Sequence, residues 1–164
     1  MNQMNRHTIQ DQSGFSLLEV LIALLVLSIG LLGLAALQTT GLRSNEMASM
    51  RTTATQLAYD ITDRMRANPV GVANNEYVLA GGATPTGTSV AALDLIAWNQ
   101  AVTALPGGRS SITQCDSTTL PVHCDGITHI ITVQWDEMRT GATGTTCPPD
   151  SDSDLRCYQL IFSE

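Results

Sequence analysis

The sequence predicts an α+β fold, in which one long N-terminal helix is followed by an antiparallel sheet. Three observations carry this expectation. Residues 20–37 form an unbroken apolar run, and apolar residues then recur at three- and four-residue steps as far as Met65. A second, shorter helical pattern covers residues 89–105. The last third holds short runs that alternate apolar with polar residues between Gly, Pro, Ser and Asp.

Composition bounds the domain that these elements build. Setting aside the first 37 of the 164 residues leaves roughly 127, the size of one ordinary domain. Two Phe, three Tyr and two Trp are available, so the core rests on Leu, Ile, Val, Ala and Met. The net charge is −7, and all eight basic residues are Arg. An acidic chain without a basic patch is a poor match to a phosphate backbone, which argues against a nucleic-acid partner.

The first element begins "SGFSLLEVLIALLVLSIGLLGLAALQ" at residues 13–38. Within residues 20–37 only Ser28 is polar. At the α-helical rise this stretch spans roughly 27 Å, close to the hydrocarbon thickness of a bilayer. A cleaved secretory signal would have a shorter apolar stretch and no acid at its start. An ordinary uncleaved anchor gives no reason for Gly14-Phe15-Ser16 or for Glu19. A carboxylate at mid-bilayer costs roughly 2.5–3.5 kcal/mol on insertion scales, so Glu19 lies outside the hydrocarbon or has a partner. Cleavage after Gly14 would expose the Phe15 amine, four residues from that carboxylate.

This stretch resembles the class III signal of type IV pilins and the related pseudopilins of type II secretion. Gly14, Phe15, Leu17, Leu18, Glu19 and the apolar run carry the resemblance. It implies that a membrane prepilin peptidase cuts after Gly14 and that the new N-terminal residue, Phe15, is N-methylated. It also implies that Glu19 is the family's glutamate, which pairs with a neighbouring subunit during assembly. The leader departs from the family's basic pattern, with Arg6 and His7 set against Asp11. Ala36 stands where major pilins carry a late proline. Gly30 and Gly33 supply either a similar weak point in the helix or close helix packing.

Beyond the membrane segment, Leu42, Met47, Met50, Ala54, Leu57, Ala58, Ile61 and Met65 make an amphipathic stripe. One helix is therefore expected over residues 16–67, roughly 75 Å at the helical rise. Asp60 and Arg64 form a favourable i,i+4 pair, and Arg64 and Arg66 suit the negative end of the helix dipole. The charges of "YDITDRMRANP" read as a solvated helix end, or alternatively as pairs between subunits. Asn68-Pro69-Val70-Gly71 is expected to end the helix, and residues 70–87 read as loop with a short strand at 76–79. In the second helix Val90, Leu93, Ile96 or Ala97, Ala101 and Leu105 form the expected buried stripe, with Trp98 at its edge. Strands are expected at 111–115, 126–136 and 157–163. In the last, Tyr158, Leu160 and Phe162 alternate with Gln159, Ile161 and Ser163.

Four cysteines, Cys115, Cys124, Cys147 and Cys157, in an exported domain point to two disulfides. Three pairings can be drawn, and the short loops favour Cys115–Cys124 with Cys147–Cys157. A zinc site using His123, Cys124 and another Cys lacks the usual C-x2-C spacing. Asp150, Asp152 and Asp154 have the 1, 3, 5 spacing of a calcium loop, but Leu155 replaces its glycine and Ile161 its final Glu. A solvated loop is the plainer reading, and no metal or other cofactor is expected. His129 shares a strand face with Ile127, Ile131 and Val133 and reads as structural. No nucleophile elbow, phosphate loop or paired His-Glu motif is present, so the chain reads as a substrate of processing enzymes and not as an enzyme.

Within the family, residues 14–69 are most similar to the PilV type of type IV pilus minor pilin. This implies a leader at 1–14, a transmembrane and assembly helix at 15–37, and a periplasmic domain at 38–164. It further implies a single-pass inner-membrane precursor that later enters the pilus and primes assembly near the tip. Its partners would be other minor and major pilins, the prepilin peptidase, the inner-membrane assembly machinery and the lipid bilayer. A minor pseudopilin of type II secretion is the first alternative, and a single-pass anchored binding domain the second.

Overall fold

The computed structural model describes residues 14–115 and 128–163. The chain falls into two compact units that meet at Arg43 and Ser44, within the first helix. That helix, α1, runs Leu17–Ala67. Residues 17–46 are exposed throughout. From Met47 the amphipathic stripe takes effect: Met47 and Leu57 are half-buried, and Met50, Ala54, Ala58, Ile61, Thr62 and Met65 are buried. Leu42, expected in the stripe, is exposed, because nothing among the described residues packs on that turn.

Asn68-Pro69 both stops α1 and starts a second helix, α2 (Pro69–Ala73), inside the stretch expected to be loop. The Asn68 side chain accepts the Gly71 N–H at 3.2 Å, and Pro69 takes the first helical position, where no N–H is needed. Gly71 is required by close approach: a Cβ there would lie 2.5 Å from Asn68 Nδ2 and 3.2 Å from the Tyr77 ring. The strand expected at 76–79 is reduced to one bridge, Leu79 to Ile112.

Helix α3 (Val90–Thr103) is capped by the Ser89 hydroxyl, which accepts the Ala92 N–H at 3.2 Å. Its buried face is Ala91, Leu95, Trp98 and Val102, and of the expected stripe Leu105, just past the helix, is buried. Val90 and Leu93 are 62% and 56% exposed, and Ala97 and Ala101 also face outward. Apolar residues occur nearly all round this helix, so periodicity does not choose a face. Trp98 does: it is fully buried, and its indole N–H donates to the Leu57 carbonyl of α1 at 2.9 Å. The charges at the end of α1 are more than a solvated end. Arg64 holds Asp60 at 3.0 Å and reaches Asp94 of α3 at 3.2 Å, while Arg66 pairs with Asp63 at 3.1 Å.

The sheet is an antiparallel meander of β1 (Arg109–Gln114), β2 (His129–Trp135) and β3 (Arg156–Phe162), in that order. Ile112, Ile131 and Leu160 are in register, as are Ser110, Val133 and Tyr158. Ile112, Ile131, Val133, Trp135 and Phe162 face the helices and share one core with the buried residues of α1 and α3. The alternation in β2 does not mean one wet face, since all seven of its residues are buried. Part of the cover is the β2–β3 connection, whose Thr145 carbonyl accepts from Gln134 Nε2 at 2.9 Å. An α+β architecture with a long helix laid on a small antiparallel sheet is the plan of the type IV pilin fold.

Candidate processing and assembly site

The N-terminal site is built by the way α1 begins. Residues 14–16 precede the helix as exposed coil. The Ser16 hydroxyl accepts the Leu18 N–H at 3.3 Å, and the Ser16 carbonyl accepts the Val20 N–H at 3.2 Å. Ser16 thus caps the helix, with Glu19 at its third position, the S-x-x-E arrangement of a capping box. That spacing was legible in the sequence as a helix-start signal and adds a local role for Glu19, since a carboxylate in the first turn also favours the helix dipole. The peptide bond joining Gly14 to Phe15 lies in irregular chain, and the Phe15 side chain is 83% exposed. An irregular, exposed backbone is what a peptidase must grip.

Phe15, Glu19, Val20, Ala23, Leu24 and Leu27 border one shallow, mainly apolar groove on α1. Glu19 is exposed on this face. The helix around it is long and apolar enough to cross a membrane. Its one polar side chain within residues 20–37 is satisfied locally, as the Ser28 hydroxyl donates to the Leu24 and Leu25 carbonyls at 2.8 and 2.9 Å. Leu17, Leu18, Leu21, Ile29, Leu32 and Leu37 are all more than 60% exposed. A continuous apolar surface of this length requires lipid or other apolar helices around it. A Cβ added at Gly30 or Gly33 would meet nothing within 4 Å, so neither glycine packs against another of the described residues.

The remaining candidate residues lie in the second unit. Cys147 and Cys157 form a disulfide, with their Cα atoms 6.0 Å apart. Cys115 is disulfide-bonded, while Cys124 and His123 lie outside the described residues. The Asp154 carboxylate is turned onto its own loop, where Oδ2 accepts from the Asp150 and Ser151 N–H groups at 3.2 Å and from the Ser151 hydroxyl at 2.9 Å. The Asp150 carboxyl meets that of Asp154 and is pushed up by it, but among the described residues no three His, Cys, Asp or Glu are grouped to hold a metal ion. His129 is buried in the sheet, its ring 6.5 Å from that of Phe162.

Two acids that the sequence did not single out organise the end of β2. Burial pushes the Asp136 carboxyl up, but N–H bonds from Gly141, Thr140, Ala142 and Arg139 outweigh it and hold the group below its ordinary value. Glu137 is buried and takes the fork of Arg51 at 2.5 and 2.9 Å, with Arg156 3.6 Å away. That pairing, mainly through the hydrogen bond, raises the Arg51 guanidinium. Arg139 pairs with Glu46 close by. The only sequence signal for this cluster was Asp136-Glu137 at a strand end with Gly141 five residues on, a turn pattern. At the other end of α1, burial, together with the Asp94 carboxylate 2.7 Å away, pushes the Tyr77 hydroxyl up to about 12.

Residues 9–35 match the family model described as the prokaryotic N-terminal methylation motif. No curated protein and no solved structure matches the chain. The motif and the apolar helix together support a membrane-anchored precursor of type IV pilin kind.

Proposed function

We propose that this chain is a minor pilin of the type IV pilus, of the PilV type. The observation that carries the reading is Gly14-Phe15 in exposed coil, directly ahead of a capped apolar helix with Glu19 in its first turn. The prepilin peptidase cuts between Gly14 and Phe15, releasing residues 1–14 and methylating the Phe15 amine. Before assembly, residues 15–37 span the inner membrane and residues 38–164 fold in the periplasm. During assembly the apolar helix moves from lipid to a bundle of pilin helices, so its surface stays out of water in both places. Glu19 then pairs with the Phe15 amine of a neighbouring pilin, which removes two unpaired charges from a low-dielectric interior. The subunit joins other minor and major pilins on the inner-membrane assembly machinery, primes the filament and stays near its tip. The chain itself is a structural subunit and performs no catalysis.

The test is mass spectrometry of the mature protein from cells that hold the peptidase. A chain beginning at methylated Phe15 is the expected result, and an intact Met1 start in the membrane fraction overturns the reading. Glu19→Gln should be processed normally yet be lost from sheared pili. Normal incorporation would refute the charge pairing. Processing with loss of protein secretion and intact pili in a deletion strain would assign the chain to the pseudopilins instead.

A further inference from the structure

The two edges of the sheet differ. Strand order is β1-β2-β3, so β1 and β3 are the outer strands. The chain itself closes the outer side of β1. Leu79 and Ile112 exchange N–H to carbonyl bonds at 2.8 and 2.9 Å, and the Gly82 N–H reaches the Ser110 carbonyl at 3.2 Å. Those bonds also fix the parity of the ladder. In an antiparallel strand the N–H and C=O of one residue point to the same side, and successive residues alternate. Ser110 and Ile112 point away from β2, so Arg109, Ser111 and Thr113 bond to it, opposite Gln134, Thr132 and Ile130. His129, Ile131, Val133 and Trp135 then bond to β3, opposite Phe162, Leu160, Tyr158 and Arg156. The N–H and C=O groups of Cys157, Gln159 and Ile161 therefore point out from the sheet.

Cys157 is tied by its disulfide to Cys147, but nothing among the described residues takes up the outward groups of Gln159 and Ile161. The usual protections of a bare edge are missing there. Neither residue is charged or Pro, the register with β2 runs without a bulge, and both side chains are exposed, Ile161 at 65%. The core side of the strand is also incompletely covered, since Tyr158 and Leu160 pack on the core yet are only half-buried. α1 runs beside β3 in the same direction: the Tyr158 hydroxyl meets that of Tyr59, and the Arg66 guanidinium lies 5.9 Å over the Phe162 ring. Tyr59 is itself exposed next to that half-covered row. An added strand satisfies both the ladder groups and the apolar side chains beside them. A helix, whose backbone is bonded within itself, satisfies only the second.

We propose that the outer edge of β3 is a docking site for an extended segment of a different protein, which joins the sheet as a fourth strand along Gln159 and Ile161. Its β-branched or aromatic residues, at alternate positions, cover Tyr59, Tyr158 and Leu160. The segment is uncharged there, because Asp63 and Arg66 of α1 already pair with each other. Direction rules out a second copy of this chain. A closed dimer would pair two β3 strands antiparallel, and since each α1 runs along its own β3, the two α1 helices would also run in opposite directions. Both chains start from an apolar helix that needs the same membrane. Apart from that exclusion, the site stands independently of the assembly reading.

Two measurements on the full chain in detergent micelles test the site. In hydrogen exchange the Gln159 and Ile161 amides should exchange at least about a hundredfold faster than those of Tyr158 and Leu160. The binding probe is a fluorescein-labelled peptide of alternating Thr and Val with Lys at both ends, followed by anisotropy. It should bind saturably and slow exchange at Gln159 and Ile161 by at least about tenfold. The same peptide with Pro in place of each Val should not bind. Gln159→Pro removes an outward donor and no bond to β2, so Tyr158 and Leu160 should stay protected while peptide binding weakens by at least about tenfold. Ile161→Lys places a charge on the exposed edge and should weaken binding to a similar extent without altering the fluorescence of the buried tryptophans. Slow exchange at Gln159 and Ile161 in the chain alone would overturn the proposal, as would protection there that rises with protein concentration, the mark of self-pairing. So would the absence of saturable binding up to about 1 mM peptide, or equal binding by the natural chain and both variants.

Discussion

Replacing Asp136 by Asn tests whether one carboxylate organises the turn after β2. Asp136 is 6% exposed, and its Oδ2 accepts the Gly141 and Ala142 N–H groups at 2.7 and 3.2 Å, while Oδ1 accepts that of Thr140 at 3.2 Å. Asn has one oxygen, so in either orientation its NH2 faces at least one backbone donor. Hydrogen bonds to a charged group contribute about 1.5–3 kcal/mol each, but Thr140 and Gly141 are exposed and water can replace part of the loss. The expected destabilisation is therefore about 2 kcal/mol, well below the sum of the three bonds. With a urea slope of about 1–3 kcal/mol/M, the midpoint falls by about 1 M. Tryptophan fluorescence of the full chain in detergent is a suitable assay, because Trp98 and Trp135 are both buried in the globular unit. A carboxyl held low in the fold stabilises above its unfolded value, and that contribution disappears as pH falls through the folded value. The gap between natural and variant midpoints should thus be constant above about pH 5 and narrow below about pH 4. Equal midpoints at pH 7, or a gap that ignores acid, would refute the reasoning.

Other perturbations have outcomes fixed by single contacts. Replacing both Cys147 and Cys157 by Ser opens a short loop and should lower stability by about 2–3 kcal/mol, read from the same urea midpoint. Gly144→Ala would set a Cβ 1.9 Å from Asp154 Oδ1, so a loss of about 1–3 kcal/mol is expected, with the 142–155 connection losing protection in hydrogen exchange. Trp98→Ala should cost about 3–5 kcal/mol by thermal unfolding, whereas Leu93→Ser on the same helix should stay within about 0.5 kcal/mol. A large effect at Leu93 would mean that the buried face of α3 has been wrongly assigned.

Much of the fold could be read from residue order. The helical stripe from Met47 to Met65 and the alternation of Tyr158, Leu160 and Phe162 with their neighbours follow from periodicity, and in the helix one side is polar enough to contrast with the other. Where that contrast is missing, the reading failed. α3 has apolar residues on most sides, and only the indole reaching across to the Leu57 carbonyl fixes which side turns in. Asn68-Pro69 is a stop for one helix and a cap with a first-turn proline for the next, and both readings use the same atoms. Of the Asp136 and Glu137 cluster only the turn pattern was legible, since Arg51 is 86 residues from Glu137 in sequence and meets it only once the sheet lies on α1.

The sequence by itself determined the candidate N-terminal site. Gly14, Phe15 and Glu19, the Ser16 cap and the unbroken apolar helix are contiguous, and their chemistry needs only local backbone geometry and an apolar surround. Tertiary structure alone decided which charges tie α1 to the rest of the globular unit. Arg51 and Glu46 meet Glu137 and Arg139 far along the chain, and no spacing within one helix gives such a pair.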